Sequence, residues 1–66
     1  MSAHQIRLAA HLAIGCYYNG QSKLISDCVV TALENMGWDV VNGDVNEDDF
    51  FKTIAVAEAM QMELLG

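Results

Sequence analysis

Apolar positions fall at helical spacing in three stretches, punctuated at Asn19-Gly20, at Gly37 and at Asn42-Gly43. Apolar side chains recurring every three to four residues share one side of a helix, and Gly or Asn accepts the left-handed conformation that commonly ends one. The pattern predicts an all-α fold, a compact three-helix bundle forming one domain over residues 1–66. Its helices are expected near residues 3–19, 22–36 and 47–64, with a very short hairpin or an irregular loop between the second and third.

Each stretch carries its own start signal. Ser2 and Gln5 stand in the S-x-x-Q spacing in which each side chain satisfies an orphan amide of the first turn. In that first helix His4, Arg7, His11 and Tyr18 form one narrow stripe. Ile6, Leu8, Ala9, Ala10, Leu12, Ala13, Ile14, Cys16 and Tyr17 fill most of the remainder, so the helix should be covered on more than one side. Ser22 is the expected cap of the second helix, where Ile25, Val29, Ala32, Leu33 and Met36 build a single apolar face. Asn46 is the expected cap of the third, and Glu47, Asp48 and Asp49 place negative charge against the positive end of its dipole.

On the third helix the expected core-facing arc is Phe50, Phe51, Ile54, Ala55, Ala57, Met62, Leu64 and Leu65. Val56, Ala59 and Met60 lie on the other side as a second patch able to face a partner. Glu58 falls near the centre of the arc, where an unpaired carboxylate is costly. It is expected at the rim of the core reaching water, paired with Arg7 or a histidine, or across a dimer interface. Val56, Glu58 and Met60 are therefore the candidate oligomer-interface residues.

Length and composition sharpen this picture. Sixty-six residues with 53% hydrophobic content make one small domain with apolar surplus. A chain this short buries only about 60% of its unfolded surface, which favours help from a partner or from self-association as a homodimer. Nine acids against three bases leave a formal charge of −6, which opposes direct contact with nucleic-acid phosphates and favours basic protein surfaces. No run is long enough to span a membrane and no leader pattern opens the chain, so a cytoplasmic protein with reduced Cys16 and Cys28 is expected.

Candidate chemistry is sparse. His4 and His11 lie seven residues apart, roughly 10 Å along a helix axis, too far to share one ion. Neither a phosphate-binding glycine loop nor a nucleophile with a marked base is present, so no enzyme, metal or cofactor is expected. What stands out is the segment DVVNGDVNEDDF, residues 39–50, which holds five of the nine acids and no base.

Three readings compete for it. Asn42 before Gly43, Val45, Asp49 and then Phe50 give NGDVNEDDF a resemblance to the second half of an EF-hand calcium loop, although Trp38 and Val40 stand where its first two carboxylate ligands belong. A structural reading makes Asn42-Gly43 a tight turn, with Trp38 and the valines covering the end of the core and Asn46 capping the next helix. The sharpest reading uses the charge left over after capping. Asp39, Asp44, Glu47, Asp48 and Asp49, with Trp38 as anchor, would form an anionic surface for a basic partner, including a nucleic-acid-binding protein. The expected function is thus a small non-enzymatic accessory or inhibitory binding module. The alternatives are a homo-oligomeric structural protein using the apolar faces of helices 1 and 3, then a degenerate EF-hand-like module.

Overall fold

A computed structural model describes residues 1–65. Three helices follow one another: α1 over Ala3–Tyr18, α2 over Ile25–Asn35 and α3 over Glu47–Leu65. The connection before α3 is an irregular loop of turns rather than a hairpin. α1 packs extensively against both other helices, while α2 and α3 touch only lightly, so α1 is the centre of an up-down-up arrangement. Met1 meets the first turn of α3, which sets the starts of α1 and α3 side by side. The molecule measures 34 × 23 × 15 Å, and no helix among the described residues is long and apolar enough to cross a membrane.

The helix ends follow local chemistry. Ser2 and Gln5 form the reciprocal capping box, the Gln5 amide donating to Ser2 Oγ at 3.1 Å and the Ser2 amide to Gln5 Oε1 at 2.8 Å. α1 and α2 both close with the paired bonds of a Schellman motif. At α1 the Gly20 amide donates to Tyr17 O and the Gln21 amide to Cys16 O; at α2 Gly37 donates to Glu34 O and Trp38 to Leu33 O. Gly20 and Gly37 hold φ of 72° and 94°, where a side chain would be strained. The start of α2 differs from expectation. Ser22 does not cap it: its hydroxyl bonds the Leu24 amide and carbonyl just outside, and the helix begins at Ile25 without a side-chain cap.

The core is small in side-chain volume. Ala9, Ala10 and Ala13 of α1 are fully buried against Cys28, Val29, Ala32 and Leu33 of α2 and Ala57 of α3. Alanines bring helix axes close, and the space then holds few large groups; the largest fully buried side chains are Leu33, Val29, Thr53 and Cys28. Burial pushes the Cys28 thiol up to about 11, with the neighbouring Cys16 thiol adding to it. Both cysteines are free.

This close packing fixes the rotation of α3 about its axis, and it is not the one the apolar arc suggests. The buried positions are Thr53 and Ala57, with Phe50, Ile54, Val56 and Met60 packed beside them. Phe51, Met62, Leu64 and Leu65 are instead exposed, as are Ala55 and Glu58. At about 100° per residue the inward face lies roughly a quarter turn from the expected one. Thr53 can sit there because its hydroxyl donates to the Asp49 carbonyl at 2.7 Å, leaving no unpaired polar atom against α1.

Candidate functional site

The acidic segment runs through the 36–46 loop into the first turn of α3. Backbone and side chains lock the loop locally. The Asp39 amide donates to Asp44 Oδ2 at 3.0 Å and the Asp44 amide returns a bond to the Asp39 carbonyl at 3.0 Å, closing the turn from both sides. Inside it Asp39 Oδ1 accepts from the Asn42 amide at 3.2 Å and Oδ2 from Asn42 Nδ2 at 2.6 Å. These two donors, the Asn42 side chain first, hold the Asp39 carboxyl below its ordinary range. Trp38, Val40 and Val45 are half-buried against the core, while Asp39, Val41, Asn42 and Asp44 between them face out. The loop therefore staples itself to the bundle through its apolar residues and presents its polar ones.

At the helix start Asn46 Oδ1 accepts from the Asp49 amide at 2.8 Å, the expected capping bond. The Asp49 carboxylate points back across the bundle. It meets the Met1 ammonium at 2.9 Å, with the Asp49 side chain largely covered. That ion pair ties the start of α1 to the start of α3 and takes up the charge of Asp49.

The five acids of the segment thus divide. Asp39 and Asp44 are exposed but committed to the turn, and Asp49 is committed to the N-terminus. Glu47 and Asp48 stay exposed on the first turn, and no basic side chain lies within ion-pair distance of either among the described residues. Trp38 is half-buried, packed against the core with part of its surface open. The exposed aromatic next to Asp48 is Phe51, which contacts Phe50 edge to face at 5.9 Å. Its exposure was hidden from sequence reasoning, which placed it in the core.

The expected oligomer-interface residues separate as well. Val56 and Met60 pack on the core of their own chain, whereas Glu58 reaches solvent. For an EF-hand-like ion site the geometry offers little. Asp49 is turned onto an ammonium group, and among the described residues no three His, Cys, Asp or Glu side chains converge as ligands.

Two grooves flank α1. One of about 270 Å³ lies towards α2, with Leu12, Cys16, Thr31 and Asn35 in its lining; one of about 210 Å³ lies towards the end of α3, lined by His11, Ile14, Met60, Glu63 and Leu64. His11 borders both, while His4 is exposed nearer the start of α1. No protein-family model matches the chain, and neither a curated protein nor a solved structure shows significant similarity to it.

Proposed function

We propose that the chain is a small non-enzymatic protein-binding module, an accessory or inhibitory protein that docks the acidic start of α3 and the adjoining loop on a basic protein partner. The observation that carries this reading is the pair Glu47 and Asp48, exposed and unneutralised on a helix turn that continues directly into exposed Phe51. Charge at a rim steers the encounter, and an aromatic beside it supplies area that can be desolvated. Asp39 and Asp44 contribute through the field of a stiff loop, because their hydrogen bonds hold its shape without neutralising their charge. A nucleic-acid-binding protein fits as partner, since its basic groove is built to accept negative charge.

The test is charge reversal. Glu47→Lys with Asp48→Lys should abolish salt-sensitive capture of a partner from native-host lysate while helical circular dichroism is retained, since among the described residues neither side chain makes a hydrogen bond or ion pair and the dipole attraction lost is only about 0.3–1 kcal/mol for each. Capture that is unchanged at every salt concentration would sink the reading.

A homo-oligomer is the second reading, favoured by the large apolar side chains exposed on α1 and α3, Leu8, Leu12, Phe51 and Met62 among them. Sedimentation over micromolar concentrations separates the two: a monomer throughout removes the second.

A further inference from the structure

The outward side of α3 carries Phe51, Ala55, Glu58, Met62 and Leu65, at steps of four, three, four and three residues. All five are exposed, Phe51 to 62%, Met62 to 73% and Leu65 to 76%. Steps of this kind keep one seam in line for a second helix, whose side chains insert between them. The seam runs about 21 Å at 1.5 Å rise per residue, and α3 is held to the bundle from its other side by Thr53 and Ala57. Among the described residues no other helix covers the seam.

Its central position is a carboxylate, and that decides what can cover it. A second copy packed in register, either parallel or antiparallel about the seam's midpoint, would set Glu58 against Glu58. Two like charges would then be desolvated together, in a pair of chains that each carry −6. A helix with a cation at the matching position meets the same seam without that cost, and Asp48 near its start attracts further positive charge.

We propose that the α3 seam docks an amphipathic helix of a basic partner protein, with a lysine or arginine set opposite Glu58. The inference rests on the protein-binding reading above and names the recognition element of that partner. Phe51, Met62 and Leu65 supply the apolar contact, and Glu58 sets the register, as a single polar residue in an apolar seam does in coiled coils.

Two synthetic peptides of about five helical turns test this. They share composition and charge; one has lysine at the central seam position, and the other has that lysine exchanged with an alanine on its outer face. Calorimetric titration of the intact chain should show the first binding at least about tenfold more tightly. Glu58→Lys should reverse the preference towards a third peptide with glutamate at the seam. Phe51→Ser with Met62→Ser should weaken binding of the first peptide while circular dichroism stays unchanged.

Equal affinity of the two isomers, or full binding by the folded double variant, overturns the inference. So does a concentration-dependent dimer that Met62→Ser dissociates, because it assigns the seam to a second copy. Failure of the peptides alongside loss of lysate capture in the Glu47→Lys, Asp48→Lys variant would remove the docked helix and leave the binding function standing. Failure of both tests removes both.

Discussion

Substitutions at Phe51 and Ala57 report on the rotation of α3 most directly. Fully burying a phenylalanine contributes roughly 1.5–3 kcal/mol, and at 62% exposure Phe51 realises only about two fifths of that, so Phe51→Ser should cost about 1 kcal/mol or less. Ala57 is fully buried in the core cluster that holds the alanines of α1, and Ala57→Leu forces a large side chain into a close helix contact. Overpacking of this kind costs about 1–3 kcal/mol. Urea unfolding followed by far-ultraviolet circular dichroism measures both, and in a domain of this size each kcal/mol moves the thermal midpoint by about 4–8 °C. The rotation suggested by the apolar arc makes the opposite forecast, with loss of a buried phenylalanine costing about 3–5 kcal/mol. A Phe51→Ser variant destabilised by that amount, at a value independent of protein concentration, would refute the packing described above.

Other expectations are independent of α3. Gly37→Ala, at φ 94°, should lose about 1 kcal/mol through strain at the end of α2, whereas Gly15→Ala, inside α1 with open space around it, should be neutral or stabilising by up to about 1 kcal/mol; thermal melts compare them. Because the folded state raises the Cys28 thiol to about 11 from an ordinary 9.0, its contribution to stability is complete below the ordinary value and is lost as pH rises between the two. Alkaline urea titrations should show a decline over that interval that is absent in Cys28→Ala. The Asp39 carboxyl is shifted the other way, so the stability it lends the loop is present above the ordinary aspartate range and disappears as pH falls through the folded value. Asn42→Ala should move its carbon-detected titration back towards that ordinary range, and an unmoved titration would reject the hydrogen-bonded turn.

Much of the fold was legible because it is written in local chemistry. Ser2 with Gln5, Asn46, Gly20 and Gly37 mark helix ends through bonds made within a few residues, and those bonds depend little on what packs elsewhere. Ser22 misled because its hydroxyl found the Leu24 backbone first, a local competition that spacing alone does not resolve. The candidate surface was legible only as a concentration of charge. Which acids remain free was decided by contacts of two kinds, a turn closed by Asp39 and Asp44 and a bond from Asp49 to an ammonium group 48 positions away in the chain.

Three helices, the caps of the first and third and an acidic segment can be read from the amino-acid order alone, since helical periodicity and capping act over a single turn. Tertiary structure alone decided which side of α3 is inside. Periodicity weights Phe51, Met62 and Leu65 by their apolar character, but close packing on an alanine surface rewards small size, and so Thr53 and Ala57 take the interior. The large apolar residues are left outside, around Glu58.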